Sequence, residues 1–552
     1  MTSTHSSGKR RTSAHGANDQ SRGSRPGSSK ARRTAQLPLG KAAAAAAAIS
    51  LITGFGYGMA GTAIASNLGL GSSSSSSAAN GNAQGGMGGG ADTMTFDYTG
   101  TYSGALTANG KKVSSDGETT EATESDQNVA LAENGGTLTL TNATLNKSGD
   151  SDNADNNNFY GTNSISLTVG EDSKTIISDS SLNASSSGSN GIFATNSGTV
   201  LANNVKITTT SDNSRALDAT YGGTILASAI TASTQGDHSA TIATDRGGGS
   251  ISATDSTLST AGSGSPLLYS TGDVQVSGVT GTSTGSQIAG MEGLNTILIK
   301  DSKLTSTITD KTASDPIANG VIIYQSTSGD AESTTGEHAT FQAADSTLKS
   351  SIQSGSMFYF TNTTADVVLS NTTLDFDSSK AALITAAGND SNNWGQAGSN
   401  GATVVFTGRN QTLKGTVSAD TISSVTLNLL EGSTWTGTAS ITENANGSTS
   451  DAPITVNVDG TSTWTVTGDT TVSALNVADG GKVVDSDGNT VTIVANGETV
   501  VKGTGSVTVT VTGDYGTTLP DSATGEDTQL DTDLIDRSDF DDQFGTSTSW
   551  SM

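Results

Sequence analysis

Side chains able to do chemistry are scarce in this chain, and those that could cooperate fall mostly between residues 213 and 292. Arg215, Asp218, Tyr221, Asp237, His238, Asp245, Arg246, Tyr269 and Glu292 recur there at intervals near one structural repeat. Stacked in register, Asp218 and Asp245 would stand about one rung (~4.8 Å) apart. Carboxylates at that separation suit a calcium ion, and an adjacent guanidinium suits an acidic sugar. The plainer reading is that Asp and Arg at coil corners cap turns and pair across rungs for solubility, and no separate catalytic motif opposes it. His238 beside Asp237 reads as a solvated turn pair before it reads as part of a triad. A second cluster is the loop from Asp150 to Asn158, where Asp150, Asp152 and Asp155 alternate with other oxygen donors. Calcium is the cation such a set suits, although the Gly and terminal Glu of an EF-hand loop are missing.

Other motif matches dissolve on inspection. Gly56-Tyr-Gly-Met-Ala-Gly61 has the letters of a dinucleotide fingerprint without a strand–helix context, and Gly281-Thr-Ser-Thr-Gly285 has those of a nucleophile elbow in a chain rich in Ser, Thr and Gly. Asp485-Ser-Asp487-Gly488 is first a hairpin turn. With no cysteine, the chain has no disulfide, thiolate ligand or thiol nucleophile.

The elements that must position these residues announce themselves as repeats. An Asp or Asn, a small residue, any residue and then Leu recur as Asn142–Leu145, Asp179–Leu182, Asp255–Leu258, Asp301–Leu304, Asp345–Leu348 and Asn371–Leu374. Looser copies end at Ile207, Ile230 and Gly281, so successive copies are mostly 23 to 28 residues apart, with gaps of 37 after Leu145 and 44 after Leu304. The 44-residue gap reads as two units of 22, with Asp310–Pro316 and Gly329–His338 as a lateral loop. A second column is hydrophobic-Ala-Thr-x-x-Gly, at Phe193–Gly198, Asp218–Gly223 and Ile242–Gly247. Short alternating runs such as Thr137–Leu140 and Thr403–Phe406 mark half-buried strands, and the Gly/Asn/Asp clusters between them mark turns. A unit of 22–25 residues holds three short strands and three turns, which predicts an all-β, right-handed parallel β-helix rather than a leucine-rich horseshoe. Outward Thr-x-Thr pairs show no fixed phase, which argues against an ice-binding ladder.

Composition shifts divide the chain. Residues 1–41 are a basic, unstructured n-region with nine Lys/Arg and one Asp, and 42–65 is an uncharged segment rich in Ala and Gly. Together they read as an export signal, with Ala63 and Ala65 before Ser66 as the cleavage site. An uncleaved 42–65 would instead be a single membrane anchor. A Ser/Gly-rich tether follows at 66–92, then the main coils at 93–407, a Trp/Thr/Val-rich terminal part at 408–516, and an acidic tail at 517–552 expected to be disordered. The formal charge is −27, and removal of residues 1–65 leaves 17 basic and 52 acidic side chains, a charge of −35. Such a surface repels nucleic acid and anionic lipid.

The strands around Trp435 and Trp464, with Trp464-Thr-Val-Thr-Gly468 leading to Leu475, resemble the closing strands of bacterial adhesin and autotransporter passenger helices. From about Thr93 to Gly516 the chain looks like the adhesin-like β-helix proteins of bacterial surfaces, without a C-terminal membrane barrel. That resemblance implies a secreted or surface-held binding protein whose partners are glycans or surface proteins. Similarity to pectate-lyase-like β-helices implies the alternative, a lyase or hydrolase of acidic polysaccharides with an Arg as base. A purely structural stalk is the third reading.

Overall fold

The computed structural model describes residues 94–327, 330–331, 338–391, 394–447 and 452–552. The basic region, the export segment with Ala63, Ala65 and Ser66, and the linker 66–92 lie outside the described residues, as does most of Gly329–His338. Among the described residues no helix is long and apolar enough to cross a membrane.

The chain winds as a parallel β-helix with three strands per coil, strands pairing with their counterparts one coil away, except near the end, where Thr492–Ala495 and Glu498–Val501 pair antiparallel. The first face is a 13-stranded parallel sheet from Ser103–Asn109 to Ala439–Thr442. The second runs from Lys112–Asp116 to Tyr515–Gly516, and the third begins at Thr119–Ala122. Lys174–Ala184 and Thr199–Thr209 pass from the second face to the third without a break, bending at Asp179 and Asn204.

The Asp/Asn-x-x-Leu phrase is the corner between those two faces. Its first residue takes a left-handed backbone: Asn142, Asp179, Asn204, Asp255, Asp301, Asp345 and Asn371 all have φ between 45° and 54°. Asn and Asp tolerate that region because their short polar side chains hydrogen-bond locally. Here they also bond between coils, with Asn204 Nδ2 donating to Asp179 Oδ1 at 2.6 Å and Asn371 Nδ2 to Asp345 Oδ1 at 2.5 Å. The small residue that follows serves the neighbouring coil. The Oγ atoms of Ser180, Ser256 and Ser302 accept from the backbone N–H of Ala143, Ile230 and Val279 at 3.0 Å. The Leu points inward, and register stacks Leu145, Leu182, Ile207, Ala232, Leu258, Gly281, Leu304, Leu348 and Leu374.

Three details depart from the sequence reading. Ala232, not Ile230, occupies the column, because Ala229 is the corner residue. Leu304 pairs directly with Leu348, so the 44 residues are one coil carrying lateral insertions and not two coils. In the Ala-Thr column, Ala219 aligns with Thr244, so the third copy slips by one residue, and Gly247 and Gly248 absorb the extra length at φ 72° and 63°.

The core is a stack of ladders. On the first face Ile192, Leu217, Ile242, Leu268, Ala289, Val321, Phe358, Ile384 and Val417 follow one another inward, all buried. At ~25 cal/mol per Å² of apolar surface, such columns supply the stability that 32% hydrophobic content would not supply to a globule.

The acidic tail is ordered, contrary to the expectation of disorder. After Tyr515–Gly516 closes the last rung, the chain turns back through the 3₁₀ turns Asp521–Thr524 and Glu526–Thr528. It ends in a short helix, Ser538–Phe544, packed on the second face. Phe540 is buried against Leu201 and Leu226. Local acidity hid this, because the anchors Arg537 and Phe540 stand among many carboxylates.

Candidate functional site

Most of the predicted cluster gathers on the outer side of the first face. There Asp218, Ala243, Tyr269, Gly290 and Ile322 form one column, so Asp218 and Tyr269 are two rungs apart. Asp245 is not the rung partner of Asp218, which pairs with Ala243, but both carboxylates meet one guanidinium. Arg215 donates from Nη1 to Asp218 Oδ2 at 3.2 Å and to Asn158 Oδ1 at 3.2 Å, and from Nη2 to Asp245 Oδ2 at 2.9 Å. All three charged groups are buried, Arg215 being 1% exposed and Asp218 0%. Burial pushes both carboxyls up, Asp245 to about 6, while the Arg215 charge pulls them down. A base must reach a substrate proton. Arg215 has its donors turned to three buried oxygens under a roof.

Glu292 lies farther along. Tyr269 and Tyr324 each donate a hydroxyl to its Oε2, at 3.0 and 3.1 Å, and Ser326 bonds its Oε1. Burial, then the nearby Asp330, raises Glu292 to about 7. Arg246 pairs with Asp330 and lies over the Phe159 ring, 3.7 Å from its centroid. The roof is built from segments that leave the coils: the helix Ala154–Tyr160, the stretch after Tyr324 that carries Ser326 and Asp330, and Trp394, whose ring centroid is 4.2 Å from that of Tyr324 on the face below.

Tyr221, at φ 47°, joins an aromatic group that sequence reasoning missed. Its ring stacks on Tyr160 at 5.5 Å and 2°, and Phe96 meets both edge-on. The segment before the first strand thus covers the start of the face, with Phe96 and Tyr102 on Leu131, Leu167 and Phe193. Asn158, Ser326 and Asp330 were missed for the same reason, since each sits outside the coil strands, whereas Tyr324 ends a first-face strand in register with Glu292 and Thr361.

Asp237 and His238 stand apart, at another corner. Asp237 Oδ1 accepts from the Ser263 N–H at 2.7 Å, its own N–H donates to Asp212 Oδ1 at 2.8 Å, and His238 is the left-handed corner residue at φ 54°. Burial lowers the imidazole pKa. In the Asp150–Asn158 loop, Asp150 accepts from the Ser187 N–H at 2.9 Å and Asp155 lies in the first turn of the helix. Among the described residues no three His, Asp or Glu side chains converge as a metal would require. Asp485–Gly488 is the hairpin turn expected, with Asp485 N–H donating to Asn489 O at 2.8 Å.

Roofs thus cover the outer sides of two faces, the first by these insertions and the second by the C-terminal segment. The third is bare. Its outward residues form two columns, one through Thr144, Ser181, Lys206, Thr231, Thr257 and Thr280, the other through Asn146, Asn183, Thr208, Ser233, Ser259 and Thr282. Both continue to Thr373 and Asp375, a nine-strand span of roughly 38 Å at ~4.8 Å per rung. Outward hydroxyl pairs therefore do recur in phase, which the sequence reading had not seen, and Lys206, Lys303 and Lys349 interrupt them. Neither a scan of family models nor a search of curated proteins returns a match to this chain. The class that the fold defines is a parallel β-helix solenoid, with one lateral face left uncovered by the described residues.

Proposed function

We propose that this is an exported, surface-associated, adhesin-like protein whose third face is its binding surface, engaging extended glycan chains or surface proteins of neighbouring cells. One observation carries the reading: two faces are roofed by the chain itself, while the third presents mostly hydroxyl, amide and lysine side chains in register along nine rungs. An extended partner lying along the axis would meet a hydrogen-bonding group every ~4.8 Å. Each contact is weak, about 0.5–1.5 kcal/mol, and affinity would come from repetition. The acidic-polysaccharide lyase reading is less well supported, because its arginine is sealed between two carboxylates. A glycan array and a cell-binding assay on residues 66–552 test the proposal. Thr257→Glu with Thr280→Glu should abolish binding, while Lys174→Ala on the second face should leave it unchanged. Equal binding by both variants, or release of unsaturated sugars by the unaltered protein, would overturn it.

A further inference from the structure

The covered second face is organised as a groove for an extended chain. Its outward column runs Leu201, Leu226, Ser252, Gln275, Leu298, Gln342 and Val368, one residue per coil. The C-terminal segment descends this column against the direction in which the coils grow. Arg409 Nε donates to Thr528 O at 2.6 Å, and Gln342 donates to Gln529 O at 3.2 Å and accepts from Asp531 N–H at 2.7 Å. Gln275 accepts from Ile535 N–H at 2.9 Å. These contacts read main chain only. Side-chain recognition is concentrated in two residues three apart. Arg537, 5% exposed, donates to Ser252 O at 2.7 Å, to Ser252 Oγ at 3.0 Å and to Ala227 O at 3.1 Å. Phe540 fills the apolar site of Leu201 and Leu226, and Lys174 adds an ion pair to Asp539 at 2.9 Å.

The contacts that hold the segment to the face come from coils up to 365 residues away in sequence. The segment joins the last rung through one stretch beginning at Gly516. A site built this way does not distinguish the chain's own tail from the tail of another copy; only effective concentration does.

We propose that the second face is a recognition groove for an extended acidic segment bearing an Arg-x-x-Phe pair, filled by the chain's own C-terminus and equally by that of a second copy. Copies would then be joined by exchange of tails, as in domain swapping. The surface and its occupant are distinct from the bare third face, and neither depends on the other.

The test uses the full chain with Arg537→Ala and Phe540→Ala, which vacates the groove, and a fluorescent peptide of residues 517–552. The peptide should bind the variant one to one and at least tenfold more tightly than it binds the unaltered chain, whose groove is filled. A peptide carrying the same two substitutions should not bind. No binding to a variant that keeps its strand signal in circular dichroism, or equal binding to both proteins, would overturn the proposal. Should the double variant not fold, the single Phe540→Ala chain replaces it. Independently, unaltered copies labelled separately on Met552 and on the second face should show energy transfer that grows with concentration, and its absence at every concentration would also count against exchange.

Discussion

Trp464 lies directly on Trp435, with ring centroids 4.6 Å apart and planes 12° from parallel, both rings buried inside the terminal coils. Each indole N–H donates to a carbonyl of the preceding coil, Trp435 to Gly415 O at 2.9 Å and Trp464 to Gly437 O at 3.1 Å. A rung therefore gains ring packing and a satisfied donor together, which is what a buried Trp needs. Removing one ring leaves a cavity and strips its neighbour of a stacking partner. We predict that Trp464→Ala destabilises the terminal coils by about 3–5 kcal/mol. Because solenoids melt by nearest-neighbour coupling, hydrogen exchange should accelerate first between residues 408 and 516. Uniform acceleration along the whole chain would contradict this.

Arg215 is expected to act on stability and not on turnover. Arg215→Met should cost about 3–5 kcal/mol, since it leaves two buried carboxylates without their cation. Adding Asp218→Leu and Asp245→Leu should restore much of that loss. Denaturant titration reads both results, and a triple variant no more stable than the single one would show that the charges matter in some other way.

Glu292 should make the roof of the first face sensitive to pH. Its folded pKa, about 7, lies above the usual carboxylate value, so the native state keeps a proton that the unfolded chain releases. Stability on this account is full below pH ~4.5 and declines as pH rises through about 7. Glu292→Gln keeps hydrogen-bonding capacity and should flatten that decline. Unchanged pH dependence of the melting temperature in this variant would rule the group out. Asp273, raised to about 6 by burial, with Asp531 and Asp533 adding to it, has the same sign and should make tail docking firmer at pH 5 than at pH 8.

The corner residues give a backbone test. Asp301 has φ 47°. Asp301→Gly should be nearly neutral, whereas Asp301→Val, β-branched in a left-handed conformation, should cost about 1–3 kcal/mol. Equal melting temperatures for the two variants would mean that the corner conformation is not what selects Asp and Asn there.

Sequence alone determined whatever repeats at the spacing of one coil. The Leu column, the Asp or Asn that opens each copy and the recurring Trp residues were legible because each coil solves the same local problem with the same residue types, while the left-handed backbone of that Asp or Asn came from the structure. The gap after Leu304 shows the limit, for counting residues cannot tell two coils from one coil with an insertion. Register settled it by pairing Leu304 with Leu348. The candidate charges were also legible as a group, but not their burial. Of the residues that seal them, Asn158, Ser326 and Asp330 come from insertions with no phase of their own, and Tyr324 ends a coil strand beside Glu292. Likewise, nothing near Arg537 announces that its partners are Ser252 and Ala227. Tertiary structure decided which faces are covered and which is bare, because covering depends on contacts between segments hundreds of residues apart, whose complementarity leaves no periodic trace in the chain.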